Sequence, residues 1–239
     1  NASTQVLYDK KWIVFLRRTR LFRHLPFVHF ALAAGSMALG NVRESSDFDV
    51  IIGTRENRIF TARFFAVFFF GAFGWRRKKL HVGEERPEDT KNKICLNHFV
   101  TERSYTLRPP YGPYWQKLYQ SLVPIYGDPK KIAAFFAANA SWCKPPLQYF
   151  TLLNGNVIAA DMRYQNRPSS FVKRMIERFL GGRIGDAAEQ FLKRAQVRRI
   201  KRSLRGNTGY KPRIIYSDEE LEFHPDTRRI EELNKNYGD

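Results

Sequence analysis

The sequence predicts a mixed α/β fold, because apolar runs of strand length alternate with longer segments whose apolar residues recur at helical spacing. Runs 27–34 and 47–53 have the length of strands, and segments 5–24 and 59–73 have the length of helices. The chain has 239 residues, of which 43% are hydrophobic and 20 are Phe. It can therefore bury a substantial core, in one large or two small domains.

The first part of the chain, about 1–108, carries the alternation. Segment 5–24 places apolar residues on one helical face and Lys and Arg on the other, and Pro26 ends this helix. A strand over 27–34, a short helix from Ser36, a strand over 47–53 and an aromatic helix over 59–73 follow. A charged loop then leads to a strand over 93–100.

The second part, about 109–239, is predicted to be mainly helical and basic. Three prolines between residues 109 and 113 interrupt any long element. Helical spacing returns over 114–123, 130–140, 171–180 and 185–204, and the Pro- and Gly-containing segment 124–129 is predicted to be a turn. The last residues hold a short apolar run at 212–216 and then an acidic patch.

The most informative segment joins a Gly-Ser turn to an Asp-x-Asp pair. Side chains two residues apart on a strand share a face, so Asp47 and Asp49 are expected to project together. Adjacent carboxylates repel unless a cation lies between them, and Mg²⁺ prefers oxygen ligands of this kind. Gly35 and Ser36, just upstream, offer backbone N–H groups and a hydroxyl to phosphates.

This arrangement resembles the signature of the DNA polymerase beta-like nucleotidyltransferase superfamily: an apolar strand, Gly-Ser, a spacer of about ten residues, and Asp-x-Asp in the next strand. The resemblance implies a small mixed sheet flanked by helices. It also implies an NTP substrate, Mg²⁺ or Mn²⁺ as cofactor, Asp47 and Asp49 as catalytic metal ligands, and phosphate binding at Gly35 and Ser36.

The sequence departs from the superfamily pattern at one position, that of the third carboxylate. Superfamily members usually carry a third carboxylate on a later strand beside the Asp-x-Asp strand, whereas the matching positions here are Cys95 or Asn97. Catalysis would then rest on two carboxylates, borrow an acid from Asp89 or Glu102, or be absent. Segments 58–63 and 94–97 also resemble a set of poorly characterised bacterial nucleotidyltransferase-like proteins.

The net charge of +18 indicates an anionic partner such as RNA. Cations concentrate in or just beyond segment 185–204. These cations are Lys193, Arg194, Arg198, Arg199, Lys201, Arg202 and Arg205. The inner face of this helix is expected to consist of Phe191, Leu192, Ala195, Val197, Ile200 and Leu204. The alternative is a solvated helix face whose cations pair with Asp186, Glu189 or the acidic patch at 218–222.

Three functions remain open on the sequence alone. The first is metal-dependent transfer of a nucleoside monophosphate from an NTP to an unknown hydroxyl, and the second is an inactive nucleotidyltransferase fold that binds RNA. The third is a peripheral membrane protein that uses residues 59–79, because segment 59–74 is too short to span a bilayer and contains Arg63. With only Cys95 and Cys143, no disulfide framework is expected, and we expect a reduced, cytoplasmic protein.

Overall fold

The computed structural model describes residues 2–77, 87–109, 111–144, 163–165, 167–204, 213–224 and 232. They form a mixed α/β structure around one six-stranded sheet with the strand order β4-β1-β2-β3-β6-β5. The strands are β1 (Val28–Ala33), β2 (Phe48–Thr54), β3 (Ile94–Val100), β4 (Val123–Gly127), β5 (Arg213–Tyr216) and β6 (Glu220–His224). The predicted fold class is confirmed.

Helices cover the sheet on both faces. Among the described residues they are α1 (Ala2–Thr19), α2 (Gly35–Leu39), α3 (Ile59–Ala72), α4 (Pro87–Thr90), α5 (Pro113–Gln120), α6 (Pro129–Ala138), α7 (Phe171–Phe179) and α8 (Arg183–Leu204). A 3₁₀ turn continues α1 over Arg20–His24 and brings the chain to β1.

The directions of the central strands β1, β2 and β3 follow from the two connections between them. β1 and β2 are antiparallel and are joined by α2 and a short loop, whereas the crossover through α3 makes β2 and β3 parallel. Asp49 is opposite Cys95, but Ile51 is opposite His98, so β3 has one more residue than β2 between these pairs. This bulge lies beside the Asp-x-Asp segment.

The predicted turn over 124–129 is wrong, because residues 123–127 form the edge strand β4. Proline is tolerated on an edge strand, where its missing N–H need not enter the ladder. The last described strands were also not predicted: β5 and β6 form a hairpin that joins the sheet beside β3. The sheet thus combines strands from both sides of residue 108.

Two hydrophobic cores lie on opposite faces of the sheet. One contains the apolar faces of α1 and α3, with Phe15 stacked on Phe48 at a ring-centroid distance of 4.6 Å. The other contains Phe30, Trp115 and Phe135, from β1, α5 and α6. β2 supplies both, since Phe48, Val50 and Ile52 face the first core and Ile51 faces the second.

The aromatic helix α3 packs against the sheet with one side buried and the other side exposed. Its residues Phe60 and Phe70 are fully buried, whereas Phe64, Phe68 and Phe73 are exposed. Within the described residues, no helix is both long enough and apolar enough to cross a membrane.

Candidate functional site

The two acids of the Asp-x-Asp pair lie together at the start of β2. One carboxylate oxygen of Asp47, one of Asp49 and the Sγ atom of Cys95 all lie within 4.8 Å of one another. Asp47 and Asp49 are half-buried, whereas Cys95 is buried. The predicted proximity of the two carboxylates is therefore confirmed.

Gly35 lies directly against the side chain of Asp49. Its backbone has φ +61°, and a Cβ atom built on it would lie 2.1 Å from Oδ2 of Asp49. The backbone N–H of Ala34 also donates to the carbonyl oxygen of Asp49 at 3.0 Å. The Gly-Ser turn and the second acid are thus in direct contact, and glycine is the residue that permits this approach.

A buried lysine fixes the loop that leads into Asp47. The Nζ atom of Lys11, on α1, donates to the carbonyl oxygens of Glu44 and Ser46 and to Oδ1 of Asn92 at 2.9–3.1 Å. Burial lowers the pKa of Lys11, and the nearby carboxylates of Glu44 and Asp47 act in the opposite direction. No local signal predicts this contact, because Lys11 looks like one more cation on the polar face of a helix.

Arg77 is the second residue that sequence reasoning did not place. Its Nη1 atom lies 2.6 Å from Oδ2 of Asp47, and both side chains are largely buried. This ion pair compensates one of the two carboxylates, so a divalent ion that used the same oxygen would have to displace the guanidinium.

The third position beside the two acids belongs to Cys95. It stands opposite Asp49 in the parallel ladder, whereas Asn97 lies within the β3 bulge and is buried. Asp89 and Glu102, the acids proposed to replace the third carboxylate, are not part of the metal-ligand group found among the described residues. Glu102 pairs with Lys131 at 2.5 Å. A thiol is a soft ligand that suits Mg²⁺ poorly.

The basic helix α8 is only partly as predicted. Its exposed cations are Arg194, Arg198, Arg199, Lys201 and Arg202. Lys193 is half-buried and pairs with Asp218 at 2.6 Å, which confirms one contact between the helix and the acidic patch. Arg205 lies outside the described residues.

The predicted inner face of α8 is confirmed in part. Leu192, Val197 and Ile200 pack against the core, whereas Phe191 and Ala195 are exposed. Of the acids that the alternative offered as partners of the α8 cations, Asp186 pairs with Arg58 at 2.7 Å.

Glu189 is the second acid that the alternative offered as a partner of those cations. Its carboxylate instead accepts the backbone N–H groups of Phe60 and Thr61 at 2.9 and 2.8 Å, so it caps the first turn of α3. The two helices are thereby joined through a buried acid.

A second group of titratable side chains lies where β3, β6 and β5 meet. Glu220 contacts His98 at 3.3 Å and Arg108 at 3.1 Å. Glu222 contacts Arg213 at 2.6 Å and His224 at 3.2 Å. Each carboxylate oxygen already has a cation or an imidazole beside it. We therefore interpret this group as a network of ion pairs that connects β6 to its neighbours, and not as a metal centre.

Comparison of the chain with family models, with curated proteins and with solved structures finds no match.

Proposed function

We propose that this protein transfers a nucleoside monophosphate from an NTP to a hydroxyl acceptor, with Asp47 and Asp49 as the ligands of a divalent ion. The observation that carries the proposal is the convergence of both carboxylates within 4.8 Å at the point where Gly35 approaches Asp49. Two carboxylates fit Mg²⁺ or Mn²⁺, which would neutralise phosphate charge as pyrophosphate leaves.

Each residue of the site would have a separate role around that ion. Asp47 and Asp49 would hold it, Gly35 would allow the backbone to approach, and Ser36 would offer its hydroxyl to the terminal phosphates. An ion on Oδ2 of Asp47 would have to displace the guanidinium of Arg77, a group that suits phosphate oxygens. The Arg77–Asp47 ion pair also offsets the repulsion between the two carboxylates.

The experiment compares the wild type with Asp47→Asn and Asp49→Asn, each incubated with an α-labelled NTP, Mg²⁺ or Mn²⁺, and total RNA or cell extract. We expect label in an acceptor with the wild type and its loss in both variants, with circular dichroism unchanged. Glu44→Gln is the matched control, because Glu44 is exposed, precedes the pair by three residues and pairs with Lys91. Equal labelling by the wild type and both variants would refute the proposal.

A second candidate is an RNA-binding protein on the same fold without catalysis. The observations that favour it are the Arg77–Asp47 ion pair and the thiol of Cys95 in place of a carboxylate. The exposed cations of α8 would then carry the binding by releasing counterions from the RNA backbone.

Salt dependence distinguishes the two candidates. An RNA-binding surface made by the five exposed cations of α8 should give a slope of about −3.5 in log affinity against log salt, and Arg198→Gln with Arg202→Gln should reduce its magnitude by about 1 to 1.5. The same double variant leaves nucleotide transfer to a small acceptor unchanged. RNA binding without any labelling would favour the second candidate.

A further inference from the structure

Two charged residues of helix α7, Lys173 and Glu177, face the protein. Lys173 is buried, and its Nζ atom donates to the carbonyl oxygen of Val28 at 2.6 Å and lies 3.3 Å from the hydroxyl of Tyr126. One turn later, the carboxylate of Glu177 accepts the backbone N–H of Phe27 at 2.6 Å. Two charged side chains therefore attach this helix to the start of β1.

The opposite face of α7 is apolar and exposed. Phe171, Met175 and Phe179, spaced four residues apart, are 67%, 51% and 67% exposed. Val172 beside them is 51% exposed. A stripe of large apolar side chains that turns away from the core is typical of a surface that a partner covers, because the packing of the core does not require it.

The border of the stripe is basic. Arg174 and Arg178 are exposed on the same helix, and Glu177, its one acid, points inward to Phe27. Past the helix, Arg183 and Ile184 at the start of α8 continue the mixture of cations and exposed apolar side chains. The surface is thus apolar in its centre and positive at its edges.

We propose that α7 is a membrane-surface helix that lies on anionic phospholipid, with Phe171, Met175 and Phe179 in the acyl boundary and the flanking arginines on the phosphates. Apolar side chains on one face with Arg beside them are the composition of interfacial helices. A short helix of this kind binds in the plane of the membrane and does not cross it, in agreement with the absence of a spanning helix among the described residues.

The charge of the surface favours an anionic bilayer over two other partners, a second copy of the chain and RNA. A second copy of the chain would bring two molecules of net charge +18 together through a face that is itself basic. RNA would explain the arginines but would leave Met175 and Val172 against a polar backbone. An anionic bilayer satisfies both the charge and the apolar stripe.

The test is vesicle co-sedimentation of the full chain at 0.15 M salt, with vesicles of phosphatidylcholine alone or with phosphatidylglycerol added. We expect binding to the anionic vesicles only. The triple variant Phe171→Gln, Met175→Gln, Phe179→Gln should weaken it at least about tenfold, since each partly inserted side chain contributes a share of the transfer energy. Arg174→Gln with Arg178→Gln should remove the preference for anionic lipid.

The matched control is Val6→Gln with Ile13→Gln, which removes two exposed apolar side chains from α1 and should leave vesicle binding unchanged. The thermal midpoint reports folding of all the variants, and exposed positions are expected to change it little. Three results would overturn the proposal: no wild-type binding to anionic vesicles, equal binding by the triple variant, or an equal loss in the α1 control. A dimer or an RNA complex that the triple variant abolishes, without any vesicle binding, would assign the surface to that partner instead.

Discussion

The carboxylate of Asp49 occupies the space in which a side chain on Gly35 would begin: a Cβ atom there would lie 2.1 Å from Oδ2. This relationship joins the Gly-Ser turn to the second acid of the Asp-x-Asp pair more tightly than their separation in sequence suggests. It also makes residue 35 sensitive to the smallest possible substitution.

Gly35→Ala should therefore displace Asp49 as well as strain the backbone. The positive φ angle alone costs an alanine about 1–2 kcal/mol, and the contact with Oδ2 adds to it. We expect a lower free energy of unfolding, measured in urea, and weaker binding of Mn²⁺, measured by titration calorimetry.

Gly40→Ala is the matched control for this substitution. Gly40 ends the same helix with φ +76°, but nothing lies within 4 Å of a Cβ built on it. It should show the backbone cost alone and retain Mn²⁺ binding. Equal Mn²⁺ affinity in both variants would show that the contact between Gly35 and Asp49 does not shape the site.

Arg77→Gln should strengthen the binding of a divalent ion. Arg77 occupies Oδ2 of Asp47 at 2.6 Å, and removing this competitor should lower the Kd for Mn²⁺ about three- to tenfold. Lys91→Gln is the control, because it removes a cation that pairs with the exposed Glu44 and not with Asp47. Weaker binding in Arg77→Gln would instead mean that the guanidinium holds Asp47 in position for the ion.

Cys95→Asp should convert the third position to a hard oxygen ligand. A buried third carboxylate repels the other two, so we expect this variant to be less stable than the wild type in EDTA. Mg²⁺ should then raise its melting temperature more than it raises that of the wild type, because binding to the native state stabilises it. Cys95→Asn, which adds no charge, should show no such gain.

Glu189→Gln should destabilise the protein through the start of α3. The Gln amide nitrogen cannot accept a backbone N–H, so one of the two buried donors loses its partner, at a cost of about 1–3 kcal/mol. Chemical unfolding measures the loss. Asp186→Asn, whose side chain is 64% exposed, should cost less than about 1 kcal/mol.

Glu222 should make the fold sensitive to acid. Burial raises the pKa of this carboxyl, but His98, His224 and Arg213 outweigh it and lower the pKa to about 2. Because the folded pKa lies below the ordinary value of 4.5, the stabilisation is complete above about pH 4.5 and is lost as the pH falls toward 2.

The loss amounts to roughly 3 kcal/mol and can be followed by urea unfolding at a series of pH values. Glu222→Gln should be less stable than the wild type at neutral pH and should depend less on pH between 4.5 and 2. An unchanged pH dependence in this variant would place the acid sensitivity in other carboxyl groups.

The part of the fold that could be predicted is the part with local signals. Strands β1, β2 and β3 and helix α3 follow from apolar runs and their period, and the closeness of Asp47 and Asp49 follows from strand geometry. β4 could not be recognised, because Pro124 and Gly127 are turn residues unless the strand lies at an edge.

The contacts that surround the two acids could not be predicted from local patterns. Arg77 and Lys11 reach the Asp-x-Asp segment from 30 or more positions away, and their sequence neighbourhoods differ little from those of other basic residues. β6 was missed because two of its residues are Glu, which a strand accepts in a buried position only when His or Arg compensates them.

The pairing of β6 with β3 has a consequence for biosynthesis. His98 and Glu220 are 122 positions apart, so during translation β3 emerges long before the strand that covers its edge. Until then the nascent chain presents an open, apolar ladder to its surroundings, which is a template for aggregation. Production of the protein should therefore respond to chaperone supply and to slower growth at low temperature.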